Sequence, residues 1–192
     1  MKYGARAIIW GHKVMKGKAN FSAVPARLKE KTALYLADKG EEDLVPAADS
    51  LILMATVTYT GATLAKDDFT FTLTGTDVSQ TKKNAANGKI VFDALNYDDE
   101  DIDKTYTLTC KQSIPGTPVE GVTYDKSEYE VKIEPHRNTR DAQDIEFTVT
   151  QKKIKDATGT AISSDDQVAA DSIAFANIYT EPAVEENNGG AE

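Results

Sequence analysis

The sequence has very few of the residues that build disulfide, metal and redox sites. Its 192 residues include one cysteine and two histidines. A single thiol cannot form an intramolecular disulfide, and no Cys/His spacing of the structural-zinc type is present. His12 and His136 lack a cysteine or carboxylate at ligand spacing, so both are interpreted as surface side chains. We expect neither a metal site nor a cofactor.

Positive charge is also in deficit, and no long hydrophobic run is present. The chain has 22 Lys and Arg against 31 Asp and Glu, which gives a net charge of 22 − 31 = −9. Taken over the whole chain, the basic residues look scattered among carboxylates, which does not fit a surface that tracks phosphates. The N-terminal apolar run, residues 7–10, is too short for a signal-peptide core or a membrane span. We therefore expect no nucleic-acid partner and no membrane partner.

Sequence signatures of catalysis are missing as well. The chain has no Gly-x-Ser-x-Gly elbow, no phosphate-cradling glycine loop and no dinucleotide fingerprint. The acidic run Asp98–Asp103 offers clustered oxygens to calcium, but it lacks the central glycine of a calcium loop and is interpreted as a solvated hairpin loop. Cys110 alternates with Leu108 and is interpreted as a core residue. We predict that the protein is not an enzyme.

The first 45 residues differ in pattern from the rest. Residues 5–15 are interpreted as a strand, and a helix is predicted to begin near Ser22, which can cap it. Pro25 fits the first turn of that helix, and Gly40 fits its end. Residues 1–45 are thus predicted to form a small strand-helix docking segment of the α+β type.

From residue 51 onward, polar and apolar residues alternate with period two, which is typical of half-buried strands. The alternation predicts seven short strands, at 51–60, 68–75, 89–95, 104–112, 128–134, 144–151 and 172–179. Asn87-Gly88 and Pro115-Gly116 supply turn residues. Seven such strands indicate an all-β, immunoglobulin-like β-sandwich. It is expected to span 51–182, with a linker at 46–50 before it and a flexible acidic tail at 183–192 after it.

A family signature runs through these strands. It comprises five stretches in a fixed order, namely Gly61–Leu73, Asn87–Phe92, Tyr106–Gln112, Val122–Ile133 and Phe175–Tyr179. Together they resemble the isopeptide-linkage domain of streptococcal-type backbone pilins. The resemblance implies a pilin-type sandwich in which a lysine on the first strand attacks the side-chain amide of an asparagine on the last. A glutamate between them handles the proton, and ammonia leaves.

Only one of the three reactive positions keeps its residue type. Asn177 matches the amide acceptor. Counting back from Gly61 places Val57 at the lysine position, and alignment on Tyr106 places Gln112 at the glutamate position. Valine cannot attack an amide and glutamine cannot shuttle a proton. The resemblance therefore implies a degenerate isopeptide site, formed by Val57, Gln112 and Asn177, that no longer makes the cross-link.

The two amides are expected to meet inside the sandwich. Gln112 shares a strand face with Leu108 and Cys110, so we expect it to hydrogen-bond Asn177 and to satisfy both buried amides. In the alternative, Asn177 bonds only to the backbone. Lys66 could serve as a displaced nucleophile, but its polar turn predicts exposure.

Three functional interpretations follow. The first is a structural or decoration protein of a phage of Gram-positive bacteria, made without a signal peptide, virion-associated, and docked through residues 1–45. It is suggested by the lack of an export signal, of a Leu-Pro-x-Thr-Gly sorting motif and of an anchor. The second is a cell-surface pilin or adhesin domain. The third is a carbohydrate-binding module that uses loops such as 112–127, near which only a few candidate stacking aromatics lie, Tyr97 and Tyr124 among them. Expected partners are virion or appendage subunits, and a host surface glycan or protein.

Overall fold

The computed structural model describes residues 3–45, 50–138 and 145–183. Residues 46–49 of the predicted linker, the first position of the strand predicted at 144–151, and the predicted tail beyond 183 lie outside these ranges. The side chain of the predicted cap Ser22 is also outside the description.

The N-terminal part of the chain is helical. It contains α1 (Ala5–Met15), α2 (Ala26–Ala37) and single 3-10 turns at Phe21–Ala23 and Glu42–Leu44. The prediction of a strand over 5–15 is therefore wrong. The residues that α1 buries are Ala7, Gly11 and Val14, which recur at helical spacing. The bulky Ile8-Ile9-Trp10 run, which favours a strand locally, is left half-buried or exposed.

Helix α2 begins at Ala26, later than the predicted start near Ser22, and Pro25 is its N-cap and not a residue of its first turn. Pro25 precedes its first residue, where the fixed φ of proline suits helix entry and its missing N–H is not needed. At the other end, Gly40 has a φ of +68°. Its N–H donates to the Ala37 carbonyl and the Glu41 N–H donates to the Leu36 carbonyl, both at 3.0 Å. This positive-φ glycine ends the helix as predicted.

Residues 3–45, here called the helical unit, have a small apolar core of their own. Gly11 of α1 lies against the Tyr35 ring of α2, and a Cβ at Gly11 would stand 2.3 Å from Tyr35 Cδ1. The missing side chain allows the two helices to approach closely. The buried cluster comprises Val14, Phe21, Val24, Leu36 and Leu44 of the helical unit, together with Met54 from outside it.

The rest of the described chain forms eleven β-strands. They are β1 (Ser50–Leu51), β2 (Met54–Thr60), β3 (Thr70–Gly75), β4 (Val78–Lys83), β5 (Lys89–Val91), β6 (Leu95–Asn96), β7 (Tyr106–Ser113), β8 (Val122–Thr123), β9 (Glu128–Arg137), β10 (Ile145–Lys155) and β11 (Ile173–Tyr179). They form a five-stranded sheet of order β10-β9-β7-β3-β4, a four-stranded sheet of order β5-β2-β11-β8 and the pair β1-β6. Strands β2 and β11 pair in parallel, and the other pairs are antiparallel.

The two larger sheets enclose one hydrophobic core. Phe69, Phe71 and Leu73 are all buried, whereas the intervening Thr70 and Thr72 are half-buried. Across the core, the ring of Phe71 lies 5.0 Å from that of Phe175, measured between centroids. The predicted all-β, pilin-type sandwich is confirmed. Two short helices precede it instead of a strand and a helix.

Each predicted strand overlaps an observed one, but the sequence missed two. Strand β4 pairs with β3 at the sheet edge and is polar after Val78, so it shows no apolar alternation. Strand β8 is two residues long. The stretch predicted at 89–95 divides into β5 and part of β6.

The helical unit packs against the end of the sandwich where β2 begins. Met54 of β2 belongs to its buried cluster, and Val91 of β5 packs against that cluster. An ion pair adds to this contact, with Lys89 Nζ 2.6 Å from Glu41 Oε2 and the Lys89 side chain only 9% exposed. A cation this buried depends on its partner, because an unpaired charge there is costly.

Neither α-helix in the described ranges is both long enough and apolar enough to cross a membrane.

Replacement of Gly11 by alanine tests the contact between α1 and α2. The new methyl group must displace the Tyr35 ring, so we expect G11A to lower the free energy of unfolding by about 1–3 kcal/mol, although alanine favours helix. Thermal unfolding followed by circular dichroism measures the change. G116A is the matched control, since no atom lies within 4 Å of a Cβ at Gly116. Equal midpoints for the two variants would contradict this packing.

Candidate functional site

Asn177 lies in the middle of the sandwich, and it is completely buried. It occupies β11, whose alternation turns Ile173, Phe175 and Asn177 toward the core. On the neighbouring parallel strand β2, Val57 is the register partner of Phe175 and Tyr59 is that of Asn177. The structure thus buries an amide side chain completely, so its hydrogen-bond partners decide the free-energy cost of that burial.

Gln112 meets Asn177 from the opposite sheet, as the sequence predicts. It lies near the end of β7 and is 5% exposed. Asn177 Nδ2 donates to Gln112 Oε1 at 3.1 Å. This hydrogen bond joins the two sheets through residues 65 positions apart in the chain.

Val57 and Lys66 bring no amine to this site. Val57 is 3% exposed and belongs to the hydrophobic core. Lys66 is exposed, in the turn that precedes β3. Because Val57 has no nucleophile and Gln112 no ionisable proton, these two residues cannot carry out amide exchange at Asn177.

Asp125 completes the cluster, and the sequence analysis missed it. Its side chain is buried, and its backbone N–H donates to Asn177 Oδ1 at 2.8 Å. Its carboxylate accepts two more backbone bonds, one from Ser127 N–H and one from Ala176 N–H, each at 2.8 Å. Asn177 therefore bonds to the backbone of Asp125 and to the side chain of Gln112 at once, so the alternative in which it bonds only to the backbone is wrong.

Asp125 and Tyr129 take over hydrogen bonds that a longer neighbouring strand would make. Strand β8 pairs with β11 only at Ile178 and Tyr179. Upstream, the Ala176 N–H is bonded by Asp125, and the Ala174 carbonyl accepts from the Tyr129 hydroxyl at 2.6 Å. Side chains thus satisfy the backbone N–H and C=O groups of β11 that have no neighbouring strand.

Two polar atoms beside the network have no hydrogen bond within the described chain. They are Gln112 Nε2 and Ser127 Oγ, both buried. The register of β7 and β9 pairs Lys111 with Glu128, so the next pair along the ladder brings Gln112 opposite Ser127. Each unpaired group costs about 1–3 kcal/mol, which the bonds of Asn177 must help to offset.

Cys110, His12 and His136 are other residues that the sequence analysis considered. Cys110 is fully buried, and desolvation raises the pKa of its thiol to about 12, so it stays protonated and unreactive. His12 is exposed and shares a hydrogen bond with the Tyr35 hydroxyl at 3.1 Å. His136 is half-exposed, with Nε2 4.0 Å from Glu146.

In the acidic run Asp98–Asp103, two carboxylates accept hydrogen bonds from the backbone of the run itself. Asp98 accepts from the Glu100 N–H at 2.8 Å, and Asp101 accepts from the Asp98 N–H at 2.9 Å. The Tyr106 hydroxyl donates to Asp101, and this bond lowers the pKa of the Asp101 carboxyl. Within residues 3–45, 50–138 and 145–183, no group of three or more His, Cys, Asp or Glu side chains could hold a metal ion.

Neither of the two tyrosines considered for sugar stacking has a fully exposed ring. Tyr124 is buried, and its hydroxyl accepts from the Val119 N–H at 3.2 Å, so its ring is not an exposed platform. Tyr97 is half-buried between the rings of Tyr106 and Phe147.

Comparison with known proteins agrees with the family resemblance. The model of the FctA family, described as a Spy0128-like isopeptide containing domain, matches residues 53–180. Among solved structures, a major pilin from Streptococcus pyogenes is 14% identical, with a TM-score of 0.39, over 70% of this chain and 51% of the pilin. The T-13 major pilin protein of S. pyogenes is 16% identical, with a TM-score of 0.41, over 70% of this chain and 53% of the pilin. The chain thus spans about half the length of these pilins. Among curated proteins, none matches it significantly.

Truncation of Asn177 tests the contribution of the network. N177A leaves the Asp125 N–H and Gln112 Oε1 buried without a partner, so we expect a loss of about 2–4 kcal/mol in the free energy of unfolding. Urea unfolding measures it. N96A, at an exposed asparagine of β6, is the control and should change stability by less than about 0.5 kcal/mol. A loss for N177A no larger than that for N96A would show that the network contributes little.

Proposed function

This chain belongs to the FctA family of Spy0128-like isopeptide containing domains, and we propose on that basis that it is a structural subunit of a cell-surface appendage whose sandwich is held together without the covalent link. The family match over residues 53–180 is the observation that carries the proposal. The pilin-type fold and family are structural rather than enzymatic. Protein partners follow from this role, since such a subunit works by assembling with others.

The site composition supports the loss of the cross-link. Asn177 is present and buried, but valine stands at the position assigned to the amine and glutamine at the position assigned to the proton carrier. Cross-linking in this arrangement needs an uncharged amine to attack the amide carbon and a protonated carboxyl to polarise the carbonyl. Val57 and Gln112 supply neither group. The unreacted Asn177 amide instead donates a hydrogen bond to Gln112 on the opposite sheet.

The substitution has a mechanical consequence. By analogy with a disulfide that closes a loop of about 100 residues, a covalent link would add about 4–5 kcal/mol through the unfolded chain. The hydrogen bond between Asn177 and Gln112 resists separation of the two sheets, but it breaks without bond cleavage. We infer that this sandwich serves where the pulling force is modest.

A virion component remains a second candidate, and one observation favours it. The helical unit lies outside the matched range, and its first helix presents exposed Ile9 and basic side chains. Such a unit could dock the sandwich onto a particle. The family match supports the cell-surface interpretation better. A host glycan or protein as ligand stays a proposal in either setting.

Intact mass tests the absence of the cross-link. We expect the unmodified protein to have its full calculated mass, because no ammonia has been released. A mass lower by one ammonia, with a branched peptide at Asn177 after digestion, would overturn the proposal.

Restoring the two missing groups tests the assignment of positions. In V57K/Q112E, the new amine should attack the Asn177 amide carbon as its bond to Nδ2 breaks, so that ammonia leaves and an amide joins residues 57 and 177. The matched control T58K/Q112E places the lysine on the exposed face of β2 and should keep full mass. V57K/Q112E/N177A should also keep full mass. A folded V57K/Q112E without mass loss would show that Val57 is not the amine position.

Fractionation of the source bacterium tests the function. Peptide mass spectrometry should recover the chain in the cell-wall fraction and not in purified phage particles. Recovery only with particles would make the protein a virion component and would reject the cell-surface role.

A further inference from the structure

Half of one sheet edge is open. Strand β10 is the outer strand of the five-stranded sheet, and its far half is covered because Ala170 N–H donates to the Gln151 carbonyl at 2.7 Å. Phe147 and Val149 direct their backbone groups to the same side as Gln151, since the register with β9 has no shift before Lys153. In the described part of the chain, no hydrogen bond reaches the N–H or C=O groups of these two residues on that side.

The open edge forms one wall of a groove, and the helical unit forms the other. The groove has a volume of about 640 Å³. Phe147 and Val149 line it together with Trp10, Lys13 and Lys18. Lys13 Nζ lies 4.7 Å from the centroid of the Trp10 ring. The helical unit keeps another sheet from approaching this edge side by side, but a single extended chain can enter between the walls.

Charge is distributed unevenly along the sequence. Residues 1–31 contain eight Lys and Arg and one Glu, whereas residues 46–192 contain 13 Lys and Arg against 26 Asp and Glu. The basic residues are therefore concentrated near the N-terminus, which corrects the expectation that they are scattered. Residues 181–192 contain four glutamates and no basic residue. Opposite charge thus favours contact between this acidic segment and the basic side of the groove.

Strand β11 ends at the side of the sandwich opposite the groove. Ser172, just before β11, lines the groove, and β11 then runs away from it to Tyr179. Seven strand residues span about 20 Å. The chain's own segment would have to double back along the sandwich, whereas a second molecule stacked end to end brings the same segment directly to the groove.

We propose that this groove binds residues 181–192 of a second copy of the chain as an added strand along the open edge of β10. The backbone of the segment pairs with the free N–H and C=O groups of Phe147 and Val149, and its glutamates lie near Lys13 and Lys18. Val184, the one large apolar residue of the segment, packs against Trp10. This inference rests on the proposed function, because it names the partner of an assembling subunit.

A peptide with the sequence of residues 181–192 tests the proposal on the full-length protein. Trp10 is the only tryptophan, so its fluorescence reports occupation of the groove directly. We expect saturable binding that weakens as salt rises. K13E/K18E should weaken it at least about tenfold, and V149P, which removes one outward N–H, should weaken it without removing charge.

Matched controls separate strand pairing from general attraction. K29E/K31E makes the same change in net charge within the helical unit but outside the groove, and it should leave affinity within about twofold. A peptide carrying lysine at positions 185 and 186 should bind K13E/K18E better than it binds the unmodified protein. In sedimentation velocity, the full-length protein should self-associate with rising concentration, and E185K/E186K should abolish that association.

Several outcomes would overturn the proposal. They are an unchanged Trp10 signal with peptide, equal binding of a scrambled peptide, or equal loss in K13E/K18E and K29E/K31E. A chain that stays monomeric while E185K/E186K alters Trp10 fluorescence would mean that each molecule binds its own segment. None of these results bears on recovery from the cell wall, so failure of the docking site is distinguishable from failure of the proposed function.

Discussion

The side-chain amide of Asn177 is the contact on which the centre of this sandwich depends. It is fully buried on the one strand that pairs in parallel with β2, donates to Gln112 across the core, and accepts from the backbone of Asp125. Asp125 in turn bonds Ala176 on the same strand. Asn177 thus acts as a hydrogen-bond group that bridges the two sheets. The cost of burying an amide is met because both its oxygen and its nitrogen have partners.

Much of the fold could be predicted because alternation is a local signal. Phe69, Phe71 and Leu73 mark one buried face without reference to any other part of the chain. Helix α1 could not be predicted in the same way, because its buried face consists of Ala7, Gly11 and Val14 while its large side chains lie outside. The fit of Gly11 against Tyr35 involves two distant segments, and no local pattern contains it. Strand β4 was not predicted because a strand at the exposed edge of a sheet needs no apolar face.

Only the site residues that belong to the family pattern were predicted from the sequence. Alternation on β7 and β11 was enough to bring Gln112 and Asn177 together, and the structure has that hydrogen bond. Asp125 was missed, although the sequence Asp125-Lys-Ser127 is a signal for a carboxylate that bonds the backbone two residues on. What the local signal cannot supply is the second bond to Ala176, because it depends on how far β8 extends beside β11. Similarly, no local signal shows which part of the β10 edge is open, because that depends on where residues 161–170 lie.

A nuclear magnetic resonance spectrum of the side-chain amides tests the central claim most directly. In nitrogen-15-labelled protein, the Asn177 nitrogen should carry two protons, both protected from solvent exchange and both close to Gln112. This is the result expected for a buried primary amide that bridges the sheets. A nitrogen with a single proton, correlated to the side-chain carbons of a lysine, would show that the amide has been exchanged and that the sandwich is covalently closed after all.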